Sequence, residues 1–163
     1  MSDLATVRML EDLRRRLERL EALESGAVAV AWTPTFVGGS VAGSFTYARQ
    51  AGRLAVMGPF VFFWGAVQIS AISVAPVGSM FINGLPLVTS NITNLAYPVT
   101  FGYVSNVSMS NAASKLRGEI APNDASIALY EERENTAGVA VTGTDFDDNA
   151  AAYVDFSGFY LIG

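Results

Sequence analysis

The chain has 163 residues, with 15 acidic and 10 basic side chains, and it contains neither histidine nor cysteine. These counts exclude a disulfide framework, a cysteine- or imidazole-based metal site, and a hydrolase that depends on a catalytic histidine. The net charge of -5 argues against a nucleic acid as partner, since proteins that bind nucleic acids normally present a basic face. We expect no cofactor.

The charged residues are few and unevenly distributed. Only 15% of the side chains are charged and 51% are hydrophobic, whereas an average soluble domain carries about 25% charged residues. Between residues 26 and 114 the only Lys, Arg, Asp or Glu residues are Arg49 and Arg53. The longest apolar run, residues 54–67, is too short for a membrane helix, which needs about 20 apolar residues. The composition therefore favours an obligate oligomer without membrane insertion, assembled in a cytoplasm.

Residues 1–25 form the first predicted element, an amphipathic helix that is rich in charge and has no glycine or proline. Its leucines follow a 3-4-3 spacing, which is typical of the a and d positions of a coiled coil. In this register Arg16 occupies a g position and Glu21 the following e position, so the two can pair between strands. The predicted trimerisation residues are Leu10, Leu13, Arg16, Leu17, Leu20 and Glu21.

A second pattern indicates how many helices associate in this coiled coil. The run of residues 16–21 matches the R-h-x-x-h-E pattern (h, hydrophobic) associated with short trimeric coiled coils, so a homotrimer is predicted. The same helix would also attach the chain to a further protein. The alternative is an amphipathic helix that packs against its own domain or against a partner protein.

After a connector of small residues, 26–31, the remaining chain is predicted to be β. Short runs rich in Val, Ile, Phe, Tyr and Thr alternate with clusters of Gly, Pro, Asn and Ser, as in a β-sandwich or jelly roll. One domain, residues 32–163, is therefore expected. The predicted strands are 44–48, 53–57, 61–69, 80–82, 99–104, 115–120, 126–130, 152–157 and 159–162.

One predicted strand breaks the alternation of apolar and polar residues. Val61, Phe62, Phe63 and Trp64 are all apolar, and a strand that is apolar on both faces is normally covered on both faces. Because so few charges lie nearby, the second cover is predicted to be a neighbouring subunit. Trp32 and Trp64 are interpreted as anchors of the core or of this interface.

Several short motifs of the β region resemble a known family. They are Trp32-Thr33-Pro34, Gln50-Ala51-Gly52-Arg53, Asn83-Gly84-Leu85-Pro86 and the final strand, residues 155–162. This pattern is similar to the C-terminal jelly-roll domain of tailed-phage fibre and head-spike proteins, including those of phage-like gene transfer particles. The resemblance implies a trimeric jelly roll on an N-terminal stalk, assembled in a bacterial cytoplasm and exposed on the released virion, where it adheres to host surface polysaccharide.

The first functional hypothesis is therefore a non-enzymatic, homotrimeric fibre or head-spike subunit that binds polysaccharide during adsorption. A second is a small polysaccharide depolymerase that uses carboxylates such as Asp145 and Glu132. A third is a capsid or baseplate decoration subunit that binds no receptor. Binding without release of reducing ends would separate the first hypothesis from the second.

Two loops rich in amides are the predicted receptor contacts. Residues 89–98 include Asn91, Asn94 and Tyr97, and residues 105–114 include Asn106 and Asn111. Amide groups can both donate to and accept from sugar hydroxyls, and a tyrosine ring offers a flat face to a pyranose. The alternative is that both segments are ordinary turns or belong to an interface.

The acidic side chains form two groups along the chain. Asp145, Asp147 and Asp148, with Asp155 nearby, could supply oxygen ligands to Ca²⁺, but they lack the spacing of an EF-hand loop. A solvated hairpin with Asx turns is the favoured interpretation, and no metal site is predicted. Residues 131–134 contain three glutamates, which are interpreted as a charged strand edge that deters sheet-to-sheet pairing.

Arg49 and Arg53 are conspicuous because they are the only charges in a long neutral stretch. Arg53 belongs to the Gln-x-Gly-Arg motif and is expected in a buried hydrogen-bond network. A role in receptor binding is the alternative.

Overall fold

Antiparallel β-strands make up most of the described chain, which in the computed structural model comprises residues 11, 13–16, 29–109, 113–134, 137–146 and 151–163. The prediction of a mainly β domain is thus confirmed. A short 3₁₀ turn spans Gly143–Asp145. The strands are β1 Ala29–Trp32, β2 Thr35–Gly38, β3 Ser44–Met57, β4 Phe60–Val74, β5 Met80–Asn83, β6 Tyr97–Ser105, β7 Ala113–Ile120, β8 Ile127–Arg133, β9 Val139–Ala140 and β10 Tyr153–Leu161.

All these strands belong to one sheet that curls round on itself. The hydrogen-bonded order is β1-β3-β4-β10-β6-β7-β8-β5-β2, with β9 paired to β8. Its two edge strands, β1 and β2, are consecutive in the chain and are joined by Thr33 and Pro34 alone. Three Cα–Cα steps span at most about 11 Å, so the two edges of the sheet must approach each other.

Side chains of β3 reinforce the seam between these two edges. The Phe36 N–H of β2 donates a 2.9 Å hydrogen bond to the Tyr47 hydroxyl oxygen, and Gln50 Nε2 donates to the Pro34 carbonyl at 3.0 Å. Burial, partly offset by this backbone hydrogen bond, raises the pKa of Tyr47. The seam is therefore held by long-range polar contacts as well as by the short connection between β1 and β2.

The inner face of the curled sheet forms the hydrophobic core. Along β4, Val61 and Phe63 point inward and are buried, whereas Phe62 and Trp64 point outward and are exposed. The Phe63 ring packs against Phe156 and Tyr160 of the neighbouring strand β10, with centroid distances of 6.4 and 5.8 Å. The four apolar residues of 61–64 therefore alternate in burial, although they do not alternate in polarity.

Glycines inside the strands allow core rings to lie directly against the backbone. A Cβ added to Gly65 of β4 would come 2.6 Å from Cζ of Phe156. A Cβ added to Gly158 of β10 would come 2.7 Å from Cζ of Phe63. Glycine at these positions is explained by the close approach of the rings.

Two pairs of predicted strands are continuous in the structure. Strands predicted at 44–48 and 53–57 form the single strand β3, because residues 49–52 keep pairing with β4 and irregularities near Tyr47 absorb the shift in register. Strands predicted at 152–157 and 159–162 join through Gly158, which pairs with β4 and β6. Part of the predicted connector is also a strand, since residues 29–31 pair with β3 in β1.

The predicted stalk lies mostly outside the described residues. Residues 11 and 13–16 are helical, and Leu13 is exposed. The described part includes Leu13 and Arg16, whereas Leu10, Leu17, Leu20 and Glu21 lie outside it. The coiled coil and the trimer therefore stay predictions. Within the described segments, no helix has the length and apolarity that crossing a membrane requires.

Candidate functional site

The outer face of β3, β4 and β10 carries a groove whose walls are long side chains. Residues that pair across these strands point to the same side, so Arg53 lies beside Trp64, and Ala51 lies in line with Ala66 and Asp155. The depression measures about 420 Å³, within the usual range of ligand pockets of about 300–1,000 Å³. We call it the outer-face groove; its side chains are Arg49, Ala51, Arg53, Trp64, Ala66 and Asp155.

Small residues of the strands form the floor of the groove. Ala51 and Ala66 form its floor, and the adjacent Gly52 and Gly65 have no side chain because Trp32 and Phe156 of the core occupy the space on their inner side. Core packing therefore requires glycine at position 52, between Ala51 and Arg53. It also requires glycine at position 65, between Trp64 and Ala66. Trp64 remains 48% exposed, so its ring is available to a ligand.

A chain of hydrogen bonds borders the groove at its Arg49 end. Arg49 Nη1 donates to the Tyr153 hydroxyl at 2.7 Å, and that hydroxyl donates to Asp155 Oδ1 at 2.7 Å. The Arg49 guanidinium also lies 5.8 Å from the centre of the Tyr153 ring. The hydrogen bond to Asp155, assisted by burial and by the Asp155 charge, raises the pKa of Tyr153, and the Arg49 charge acts in the opposite direction.

The exposed ring of Tyr103 extends this border onto β6. It packs against Tyr153 with a centroid distance of 5.4 Å and is 53% exposed. Tyr103 pairs with Asp155 across β6 and β10, so both point to the outer face. The groove therefore combines flat aromatic faces, guanidinium donors and a carboxylate acceptor, which together can bind a polyhydroxylated ligand.

The arginines of the groove differ from the cations of a second depression in their salt bridges with carboxylates. Neither Arg49 nor Arg53 forms a salt bridge with a carboxylate of the described residues. In the second depression, of about 400 Å³ between β6, β7 and β8, Lys115 lies 3.3 Å from a carboxylate oxygen of Glu132. Its other cation, on Arg117, is paired with a glutamate of its own strand at 3.5 Å. The outer-face groove is thus the better candidate for binding an external group.

A third depression, of about 350 Å³, contains two of the predicted acids. Glu131 is buried and its Oε2 accepts a 2.9 Å hydrogen bond from Arg133. Asp145 Oδ2 accepts from the backbone N–H and the hydroxyl of Thr142 at 2.6 and 2.9 Å, which caps the 3₁₀ turn. Both carboxylates therefore have structural partners. Glu132, the next residue along β8, lines the second depression instead.

Among the described residues, the remaining acids do not gather into a metal site. Asp147 and Asp148 lie outside the described residues, and Asp155 points into the outer-face groove on β10. Within the part of the chain that the structure describes, no group of three potential metal ligands occurs. Glu134 is exposed in the turn after β8.

The described amide residues predicted to contact a receptor lie in two separate loops. Asn91 and Asn94 are exposed in the loop before β6, whereas Asn106 follows β6 and donates to the Ala151 carbonyl at 3.1 Å. The nine residues of β6 separate the two loops by roughly 25 Å. The predicted Asn111 lies outside the described residues.

Tyr97 corrects the prediction of a ring platform in the first of these loops. It is 4% exposed, its ring packs on Tyr160 of the core, and its hydroxyl lies 2.6 Å from the Ser90 hydroxyl. As the first residue of β6 it points inward, so its face is unavailable to a sugar.

The prediction of a buried Arg53 is also wrong, because Arg53 is exposed on the outer face.

Sequence reasoning missed four residues around the groove. The sequence does not connect Tyr103 of β6, or Tyr153 and Asp155 of β10, with Arg49 of β3, since these three strands lie far apart in the chain. The sequence indicates an anchor of the core or of an interface at Trp64, whereas its side chain is exposed and lines the groove. Only the isolation of Arg49 and Arg53 in a neutral stretch pointed to this face.

Comparisons with known proteins identify a related fold. No protein-family model matches the chain, and no curated protein matches it. Among solved structures, the chain is similar to the crystal structure of the Dettilon tailspike protein (gp208), with a TM-score of 0.68 and 18% sequence identity. The match covers 82% of this chain and 23% of that one, so it spans less than a quarter of the tailspike chain. At this identity the likeness shows a shared β-rich fold.

Proposed function

We propose that this protein is a fibre or spike component of a phage or phage-like particle, and that its β domain attaches the particle to polysaccharide on the host surface. The outer-face groove carries the proposal, because an exposed tryptophan lies over a floor of small residues next to guanidinium groups that form no salt bridge with the described carboxylates. The fold shared with a tailspike protein supports the same role. The finer description, a jelly roll held at the tip of a trimeric stalk, belongs to the proposal.

Polysaccharide attachment suits a shallow, open site. A single groove of this kind offers few contacts, but identical grooves on several subunits and many spikes increase the apparent affinity by about 10²–10⁴-fold. This multivalency requires an oligomer. A homotrimer would supply three grooves on each spike.

An aromatic patch beside the groove supports self-association. Met57, Phe60, Phe62 and Phe159 share the outer face of β3, β4 and β10 and are 41–54% exposed. Phe62 packs 6.4 Å from Phe60 and 6.1 Å from Phe159, measured between ring centroids. At about 200 Å² for each side chain, the patch exposes roughly 350–400 Å² of apolar area. The largest apolar patch of a monomer is typically about 300–600 Å² and is often functional, and we assign this one to a second copy of this chain.

The test of attachment uses the full chain and surface polysaccharide purified from a susceptible strain. We expect binding of the protein to the immobilised polymer, and at least a tenfold loss of affinity in Trp64→Ala. The control is Val88→Ala, which removes another exposed apolar side chain away from the groove. Absence of binding by the unmodified protein would contradict the proposed function and favour a decoration subunit without a receptor.

The same incubation tests the depolymerase alternative. Binding of the polymer without release of reducing ends rejects a hydrolase. Release of reducing ends that stops in Glu131→Gln or Asp145→Asn would instead assign catalysis to the third depression, where these two carboxylates are found.

Trimer formation is tested by light scattering of the purified chain. A double substitution in the predicted stalk, Leu13→Asp with Leu17→Asp, is expected to abolish the trimer, since it places charge in the predicted leucine seam. Phe62→Asp is expected to weaken the trimer through the β domain. A monomer of the unmodified protein at micromolar concentration would contradict the trimer and leave the groove unaffected.

A further inference from the structure

The distribution of charge along the chain and over the fold indicates what the outer-face groove selects. Residues 26–114 contain two Lys, Arg, Asp or Glu side chains in all, and both of them, Arg49 and Arg53, line this one depression. We propose that the groove binds a carboxylate-bearing sugar unit, such as a uronic acid, in an acidic surface polysaccharide. This inference rests on the proposed function and specifies its ligand class.

The two arginines are positioned to act on one ligand. They lie four residues apart on β3 and point to the same face, so their Cα atoms are separated by about 13 Å. Ala51 lies midway between them and leaves space above the sheet. An arginine side chain is long enough to lean over this space from either end, so a sugar unit lying above Ala51 and Ala66 would be within reach of both guanidinium groups.

Their remaining hydrogen-bonding capacity suits a carboxylate. Each guanidinium carries five N–H donors in a planar fork that matches a carboxylate. Arg49 uses a donor on the Tyr153 hydroxyl and Arg53 uses a donor on the Gly52 carbonyl, and neither partner is charged. These contacts orient the side chains while leaving their positive charge uncompensated by a salt bridge within the described part of the chain.

The other side chains of the groove can contact the ring face and the hydroxyl groups of the same sugar unit. Trp64 offers an exposed ring for the apolar face of a pyranose, and Asp155 offers oxygen atoms to hydroxyl donors. Two cations and one carboxylate leave the groove with a net charge of +1 on a protein whose total charge is -5. Binding of a neutral sugar would not require a positively charged groove on a negatively charged protein.

The experiment compares one polymer in two chemical forms. Surface polysaccharide from a susceptible strain is used as isolated and after its carboxyl groups have been reduced to primary alcohols, which removes the charge and keeps the backbone. We expect the affinity of the full chain to fall at least tenfold on reduction, and to fall with added NaCl for the native polymer alone. Equal binding of both forms, or a host polymer without carboxyl groups, overturns this inference and leaves the proposed function standing. Binding of neither form overturns the proposed function.

Variants connect the effect to the groove. Arg53→Gln and Arg49→Gln are each expected to weaken binding of the native polymer about tenfold and to weaken binding of the reduced polymer much less, because only the native polymer carries the charge that the arginines select. Lys115→Gln, in the second depression, is the matched control, and we expect it to bind both forms like the unmodified protein. Loss of binding in Lys115→Gln equal to that in Arg53→Gln would assign the charge effect to the protein as a whole and overturn the inference.

A second measurement separates ligand binding from assembly. Arg53→Gln is expected to keep the molecular mass of the unmodified protein in light scattering and its melting temperature. A lowered mass together with unchanged polymer binding per subunit would show that this face is a contact between copies, and the inference would be overturned.

Discussion

Arg53 and Trp64 are direct cross-strand partners on the outer face of β3 and β4, and both are exposed. A guanidinium and an indole side by side over a floor of alanine form a surface that can bind a sugar by its ring face and its polar groups. On the inner side of the same strands, the neighbouring Gly52 and Gly65 make room for core rings. The same two strands thus present a binding surface outward and part of the core inward.

The alternation along β4 predicts opposite consequences for neighbouring phenylalanines. Phe63→Ala removes a buried ring and is expected to lower the free energy of unfolding by about 3–5 kcal/mol. Phe62→Ala removes an exposed ring, so we expect the fold to persist and the assembly to weaken. Urea denaturation at several protein concentrations distinguishes the two, because assembly makes stability depend on concentration. Equal destabilisation of both variants at all concentrations would contradict the alternation.

Gly65 is predicted to be intolerant of any side chain. A Cβ would come 2.6 Å from Phe156, so Gly65→Ala is expected to destabilise the domain by about 1–3 kcal/mol through overpacking. Gly102→Ala is the matched control, since a Cβ at this position of β6 has no neighbour within 4 Å. Thermal melting should show a lower melting temperature for the first variant and an unchanged or higher one for the second. Partial recovery in Gly65→Ala with Phe156→Leu would identify the ring as the cause.

Tyr160 is predicted to make stability depend on alkaline pH. Its hydroxyl donates a 2.9 Å hydrogen bond to the Leu87 carbonyl, and burial raises its pKa from 10.0 to about 12. Since the unfolded chain releases this proton at lower pH than the folded one, the stabilisation is complete below pH 10 and is lost as the pH rises towards 12.

The measurement compares Tyr160→Phe with the unmodified protein by urea denaturation at pH 8 and pH 11. At pH 8 the variant should be less stable by about 1–2 kcal/mol, because the Leu87 carbonyl loses its buried donor. At pH 11 the difference should shrink or reverse. A constant difference at both pH values would show that Tyr160 does not titrate in this way.

Asp124 is predicted to stabilise the turn before β8. Its Oδ1 accepts hydrogen bonds from the backbone N–H groups of Ala125 and Ser126 at 2.7 and 3.0 Å and from the Ser126 hydroxyl at 2.7 Å. Asp124→Ala is expected to lower the free energy of unfolding by about 1–2 kcal/mol. Asp124→Asn keeps an acceptor oxygen and should retain most of that stability. A similar loss in both variants would mean that the charge of Asp124 matters rather than its acceptor geometry.

The mainly β architecture could be predicted because its signals are local. β-branched and aromatic runs such as Phe62-Phe63 favour strands, and Asn83-Gly84 and Pro122-Asn123-Asp124 contain the residues that turns require. Gly84 and Asn123 indeed have positive φ values of 104° and 58°. Strand lengths were harder to predict: residues 49–52 contain Gly52 and polar side chains, yet they continue β3 because β4 supplies hydrogen bonds along their whole length.

The candidate site shows where sequence reasoning ends. The sequence alone predicts the strand content and shows the scarcity of charge and the isolation of Arg49 and Arg53, since composition and local pattern are properties of the linear chain. The tertiary structure alone decided that Tyr97 faces the core and that Trp64, Tyr153 and Asp155 surround the two arginines. The physical reason is register: β10 pairs with β4 across more than 80 residues, and a shift of one residue in that pairing would send every one of its side chains to the opposite face.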